Sequence, residues 1–428
     1  MMNGRRATRT AGTARVLDDI AAIAAISDPG IGVTRVAYSE PDARARAWFA
    51  RRCEALGLTC EVDRYGNCFG WSPGAGERPA VLLGSHLDSV REAGRYDGVL
   101  GVVVGFEVAR RALEQDPHAA VGVVSFACEE STRFGVPTLG SRLLLGHLGP
   151  ESLDALRDLD GATLRAVLER AGLDPRASTS FDPDRIAAFV EVHVDQGTTL
   201  ADSHDVGVVS AIAGTVRERF AWHGETAHSG AQRRGERRDA LLGAARLIVA
   251  AEELWQRVEA AGETVTVTVG WLESRPNAPN AVSGRADVIV DLRSPAAAAL
   301  AAMREELETA ALRIAGASGL RVEHELLGRI EPVAMDDDTV FTLCAAATAA
   351  GIAHRVTPSM AGHDAEVLAH HVPTAMLFVA NPAGVSHAPE EAVDEPSLDG
   401  AIALLEAALP ALGRNTAHRI HGFGRQEA

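Results

Sequence analysis

Four short runs constrain this chain most: AVLLGS (80–85), VGVVSFAC (121–128), IAAFVEV (186–192) and TAMLFVA (374–380) are continuous apolar stretches of strand length. A strand that is apolar on both faces must be covered on both faces, which is the situation of a parallel sheet between helices. Helical periodicity fills the intervals: 38–56, behind a Ser-x-Pro-Asp start and stopped by Gly57, then 98–114, around 138–172, 338–351 and 396–413. Between about 207 and 328 the texture changes. VRERFAWHG, TVTVTVGWLE and RADVIVDLR alternate apolar and polar residues, as half-buried antiparallel strands do, around two alanine-rich helices at about 236–262 and 295–318. The expected fold is therefore α/β with a mainly parallel sheet built from residues 1–210 and 328–428, into which a smaller α+β domain, 211–327, is inserted. A length of 428 residues agrees with two cores rather than one.

The residues just beyond each buried run carry chemistry. AVLLGS leads into His86-Leu87-Asp88, VGVVSFAC into Glu129-Glu130, IAAFVEV into His193, and TAMLFVA into the loop bearing His387; Asp97 lies in the glycine-punctuated GRYDGVLG. Sites in open α/β sheets form at the carboxyl ends of the strands, so these residues are expected at one edge. Taken singly, each has an ordinary explanation: a surface histidine, a solvated glutamate pair, an aspartate doing turn chemistry. Their convergence points instead to a centre for divalent ions, with neutral imidazoles and carboxylates as ligands and no thiolate. Two ions about 3.5–4 Å apart need a bridging carboxylate, for which Asp97 is best placed. Adjacent side chains diverge, so of Glu129 and Glu130 one can ligate while the other takes a proton. Cys128 beside them reads as a small buried hydrophobe.

Composition closes several other classes. The chain contains no lysine, which excludes Schiff-base chemistry, pyridoxal phosphate attachment and a Walker-A loop. A net charge of −17 leaves no basic face for nucleic acid and disfavours anionic membranes. No run approaches the ~18 apolar residues of a membrane span, and Arg5-Arg6 are not followed by a signal-peptide core, so a cytoplasmic location is expected. Cys53, Cys60, Cys68, Cys128 and Cys344 are odd in number and form no CxxC pair, as expected of reduced thiols.

GSHLDSV–GRYDGVLGV, ACEESTRFGVPTLGSR, VEVHVDQG, GETAHSGA–RRDAL, PNAPNAVSG–DLRS, AGHDA and GVSHAPEE occur in this order. Together they resemble the amidase/hydantoinase/carbamoylase branch of the M20 metallopeptidase superfamily, from about Gly32 to Glu391. The resemblance implies a di-metal catalytic domain with an inserted lid and dimerisation domain, a homodimer, and two divalent ions, zinc or else manganese, cobalt or nickel. It gives His86, His193 and Asp97 to one ion, Glu130, His387 and Asp97 to the other, and makes Glu129 the general base. Asp88 becomes the carboxylate that orients His86. Gln196 contacts the substrate's amide end and His363 lines the pocket. Asn280 and Arg293 hold a substrate carboxylate, and His228 reaches the partner subunit's site to stabilise an oxyanion. For Arg293 a plain salt bridge is the alternative, and for the cluster Arg233, Arg234, Arg237 and Arg238 a solvated helix start or subunit contact.

The implied reaction is hydrolysis of a ureido C–N bond, foremost of an N-carbamoyl-L-amino acid to amino acid, carbon dioxide and ammonia. Allantoate or ureidoglycolate hydrolysis comes next, then a dipeptidase or deacylase; a metal-free binding protein on the same scaffold is the rival from another class. Three stretches depart from the family pattern: Ser131-Thr132-Arg133-Phe134 after the glutamates, Ser229 to Arg234 after the lid histidine, and Ser359-Met360-Ala361-Gly362-His363. All three leave the metal-type residues intact, so they bear on the substrate rather than on the reaction class.

Overall fold

The computed structural model describes residues 10–178 and 181–414; Arg5 and Arg6 lie outside them. The chain forms two compact units. One comprises the residues up to Ser210, Met335–Thr357 and those from Gly362 on; the other comprises Ala211–Ala334 and Pro358–Ala361.

In the first unit the four apolar runs become the centre of a sheet, in the order Val121–Phe126, Ala80–His86, Ile186–Val194, Thr374–Val379, all parallel. Antiparallel strands flank them: Cys68–Trp71 and then Thr59–Val62 on one side, Val206–Ile212 on the other. Every residue of the four central strands is buried, as continuous apolar runs require. Register fixes the working edge. His86 pairs with Phe126 and Phe378 with His193, so the residues following Phe126 and Val379 leave the sheet where the two histidines stand.

The helix Val99–Gln115 covers one face, sharing a core with Val81, Leu83, Val123 and Val190. It lies so close that a Cβ on Gly101 would stand 2.1 Å from the Val192 carbonyl oxygen, a position only glycine can occupy. The helix expected at 38–56 is Glu40–Leu56, capped by Ser39, which accepts from the Asp42 amide, and ended by Gly57 at φ 69°. The helical stretch expected around 138–172 is instead three short helices, Leu139–Leu144, Ser152–Ala155 and Leu164–Arg170. Gly146 and Gly161, both at positive φ, break it.

The second unit is a four-stranded antiparallel sheet, in the order Arg321–Ile330, Gly214–His223, Arg285–Ser294, Thr266–Arg275. The helices Ala240–Ala260 and Ala297–Ser318 bury their apolar stripes against it, around Trp222, Phe220, Leu247 and Met303. The expected return to the large domain near 328 comes at Met335, because Arg321–Ile330 is an outer strand of this sheet.

One carboxylate ties three helices of the first unit together. Glu107, on Val99–Gln115, accepts from Arg110 and Arg111 of its own helix and from Arg15 of the helix Ala11–Ala24, at 2.7–3.0 Å. Arg111 in turn donates to Glu406 of the helix Glu395–Leu412 (2.7 Å). Burial alone would raise the Glu107 carboxyl, but the three guanidiniums outweigh it and hold it well below the usual carboxylate range. Its folded-state pKa being depressed, the stability it contributes is complete above the unfolded value of about 4.3 and disappears as pH falls through the folded value. Glu107→Gln is expected to lower unfolding free energy by about 2–3 kcal/mol, less than the 3–5 of a fully buried pair because the arginines reach solvent. Urea titrations between pH 3 and 7 should show the variant losing less stability on acidification than the wild type.

Candidate active site

The sheet edge delivers six side chains to one place, and local backbone geometry aims them. His86 ends its strand, and its Nδ1 bonds the Asp88 carbonyl oxygen (3.0 Å), while Nδ1 of His193 bonds the Val194 carbonyl oxygen (2.9 Å). A ring that donates from Nδ1 keeps the Nε2 lone pair for a ligand. Both Nε2 atoms face the same oxygen of Asp97: Oδ1 is 3.7 Å from His86 and 3.1 Å from His193. The other oxygen, Oδ2, is 3.1 Å from His387 Nε2, which is itself 3.5 Å from Glu130 Oε1. Among the described residues three groups have ligand atoms close enough to hold an ion; two of them, His86–Asp97–His193 and Asp97–Glu130–His387, lie at this edge and share Asp97, and the third, Glu218–Glu308–His324, belongs to the second unit. Glu129 belongs to none of them. Its Oε2 lies 3.8 Å from His86 Nε2, beside the two groups at this edge.

Asp97 lies one residue before the N-cap of the helix Val99–Gln115, at its positively polarised end. Between them Gly98 adopts φ 66°, and its amide donates to His193 Nε2 (3.2 Å). A Cβ there would stand 2.4 Å from the His86 ring. Asp88 acts differently from the expectation. Its carboxylate lies 3.7 Å from His86 Nδ1 and accepts instead from the backbone amides of Glu129 (3.1 Å) and Glu130 (3.2 Å), while its carbonyl orients the ring. Sequence reasoning missed Glu391, whose Oε2 accepts from the Tyr96 and Asp97 amides at 2.9 and 3.1 Å. The only signal for it is the second glutamate of Pro389-Glu390-Glu391 after His387.

His363 is buried, with its ring 4.6 Å from that of His193. Gln196 is half-buried in the loop after the His193 strand. The other three expected substrate residues belong to the second unit. His228, on a two-stranded ribbon, and Asn280, in the turn that leads into the ribbon's other strand, are both exposed, and the Ser229 amide donates to the Asn280 carbonyl (3.0 Å). Arg293 donates to Asp291 (2.9 Å) and to the Met360 carbonyl (3.1 Å), the salt bridge that its position at a strand end allows. In the arginine cluster Arg237 donates to the Ser229 and Gln232 carbonyls and Arg238 to Glu225.

The donor set fits divalent ions electrostatically as well as geometrically. Burial would raise Asp97, but its contacts with His193 and His387 hold it far below the usual range. Burial works against a charge on His193 and is outweighed by Asp97, which lifts that ring to about 9; the same contact lifts His387 to about 9. Burial, reinforced by Asp97, pushes Glu130 to about 7, and burial with Glu130 pushes Glu129 well above the ordinary value. Protons thus stand where positive charge is wanted, and metal binding displaces such protons.

Residues 82–411 match peptidase family M20/M25/M40. The chain is 33% identical over 390 residues to the N-carbamoyl-L-amino-acid amidohydrolase of Paenarthrobacter aurescens, covering 89% of this chain and 93% of that one. It is 33% identical over 371 residues to an allantoate amidohydrolase of Escherichia coli, covering 85% and 89%. The crystal structure of an amidase of the hydantoinase/carbamoylase family from Burkholderia multivorans matches with a TM-score of 0.85 at 31% identity, over 95% and 98% of the two chains. The chain belongs to peptidase family M20/M25/M40 and, within it, to the hydantoinase/carbamoylase amidases.

Gly98→Ala is expected to damage the site without dismantling the fold. It forces a side chain into a left-handed conformation at about 1–3 kcal/mol and drives its Cβ into the His86 ring. Zinc titration should show weakened binding, while far-ultraviolet circular dichroism stays that of the wild type.

Proposed function

We propose that this amidohydrolase cleaves the ureido C–N bond of a small carboxylate with two divalent ions, its first-choice substrate being an N-carbamoyl-L-amino acid. One water is consumed, and the products are the L-amino acid, carbon dioxide and ammonia. The observation that carries the reading is the Asp97 carboxylate, whose two oxygens face two separate ligand groups while Glu129 stands beside both and belongs to neither. In the proposal His86, Asp97 and His193 hold one ion and Asp97, Glu130 and His387 the other, zinc or else manganese, cobalt or nickel. When bound, such a pair acidifies a water and polarises the scissile carbonyl.

The chain's own groups do the rest. Glu129 takes a proton from the attacking water on its carboxylate and passes it to the leaving nitrogen. A group that must both take and give a proton needs a pKa above the ordinary carboxylate value, and burial supplies that tendency. Asp88 keeps Glu129 and Glu130 in place through their amides. Gln196 contacts the amide end of the substrate and His363 lines its pocket. Asn280 and Arg293 take the substrate carboxylate, and His228, from the neighbouring subunit of a homodimer, donates to the oxyanion. Dimerisation through the second unit draws support from its outer strands, which expose Trp271, Leu272, Leu326 and Leu327.

Allantoate or ureidoglycolate is the second reading, favoured by equal identity to the allantoate amidohydrolase and by departures confined to stretches that border the substrate in this proposal. Ammonia release from N-carbamoyl-L- and D-amino acids, allantoate, ureidoglycolate and dipeptides separates the readings. Turnover is expected with N-carbamoyl-L-amino acids and lost on chelation. Glu129→Gln should lower kcat by about 10²–10⁴-fold with the bound-ion count unchanged. Protein holding two ions that releases ammonia from none of the ureido compounds would overturn the substrate class. Mixing inactive Glu129→Gln with inactive His228→Ala should restore activity if His228 serves the neighbouring subunit.

A further inference from the structure

Three histidines with no part in the Asp97 centre meet on the surface of the first unit. His147 lies in the turn after the helix Leu139–Leu144, its amide bonded to the Arg142 carbonyl (2.9 Å). His370 and His371 follow the helix Asp364–Leu368, and the His371 amide bonds the Leu368 carbonyl (2.8 Å). His147 Nε2 and His371 Nε2 are 2.9 Å apart, although 224 positions separate them in sequence. The His370 ring centroid is 5.7 Å from that of His147. His147 and His370 are exposed and His371 is half-buried.

Two imidazole nitrogens at this distance share either the N–H of one neutral ring, as a hydrogen bond, or an ion. With metal–nitrogen bonds of about 2.0–2.1 Å, two imidazoles on one ion hold their nitrogens about 2.9–3.4 Å apart, from square-planar to tetrahedral angles. The observed 2.9 Å lies within that bite. Both rings stay neutral, since partial burial, with His371, His370 and Arg142 nearby, lowers His147 to about 4, and burial with His370 lowers His371. Neutral imidazole is the form that binds metal. The His370 ring stands next to this pair, its centroid 5.7 Å from that of His147.

The geometry points to a surface site for a transition-metal dication of the zinc, nickel or copper kind, held by His147 and His371 with His370 as third ligand and water completing the shell. The site is separate from the Asp97 centre and shares no residue with it. It would also brace that centre's wall. The two helices are already joined by Ser141 to Asp364 (2.5 Å) and Arg142 to Glu366 (2.6 Å), and the second begins at His363, whose ring stands against His193. An ion between His147 and His371 adds a third tie at the far end.

The test uses untagged, full-length protein and zinc alone, with bound metal counted after equilibrium dialysis. Wild type is expected to hold one ion per chain more than the double variant His147→Ala/His371→Ala. That difference of one reads this site whatever number the Asp97 centre holds. Turnover with metal saturating the Asp97 centre should be the same in both proteins. Wild type should be retained on immobilised nickel and the double variant released from it, and copper added to zinc-loaded wild type should give an electron paramagnetic resonance spectrum with imidazole nitrogen couplings. Equal zinc counts in the two proteins, or equal retention of both on nickel, would overturn the site. Matched circular dichroism of the two proteins guards against a folding artefact.

Discussion

A carboxylate that is 4% exposed and faces three imidazoles from three separate segments is stable only where positive charge is guaranteed, and the geometry around Asp97 follows from that requirement. Its two oxygens serve different partners: Oδ1 is turned to His86 and His193, Oδ2 to His387. The surroundings add still more acid. Asp88, Glu191, Asp364 and Glu391 are all buried near these groups, and burial pushes every one of them upward. Such a concentration of carboxyls is tolerable as a host for cations, which reverse the local electrostatics. As an uncharged core it would be a poor one, and apolar side chains of the same volume would pack there at lower cost.

Holding the candidate ligands in place is a separate problem from supplying them, and backbone clamps solve it. The segment His86-Leu87-Asp88 is held at the Leu87 carbonyl by Arg35, a fully buried guanidinium that also caps the Ile23 and Ile26 carbonyls at the end of the first helix. Asp97 is held at its amide by Glu391, and the glutamate pair at both amides by Asp88. The Arg35 fork donates in several directions at once, which a single ammonium could not do with the same rigidity. Each clamp fixes main chain rather than side chain, so the ligand atoms inherit the precision of the sheet.

The contrast between ligands and clamps explains what could be read from sequence. His86, Glu129, Glu130 and His193 were legible because an apolar run of strand length announces where a parallel strand ends, and the register of that sheet brings the ends together. Glu391 was not, since its partners lie 294 and 295 positions away and no local pattern marks the contact. Asp88 was legible as a residue and not as a contact, because its carbonyl performs the task that the family resemblance assigns to its carboxylate. The limit of the inserted unit was misplaced for a related reason. Arg321–Ile330 is exposed along nearly its whole length, so it lacks the apolar alternation by which an antiparallel strand declares its sheet.

Strain at two turns completes the centre. Cys128 and His387 both adopt left-handed backbone conformations, at φ 54° and 58°, without being glycine. Each such position costs about 1–3 kcal/mol, and each turns the chain directly into the candidate centre. The turn at Cys128 sends the amides of both following glutamates toward Asp88 and leaves the thiol buried, where burial and neighbouring carboxylates keep it protonated and unfit as a ligand. The turn at His387 leaves that ring half exposed, unlike His86 and His193. Two imidazoles are thus locked in the sheet edge and the third stands on a loop, which leaves the Glu130 side of the centre as the more accessible of the two. A buried parallel sheet with helices clamped across it by Glu107 has the stability to carry that strain, and the strained turns give the centre an order of side chains that relaxed strand ends would not present.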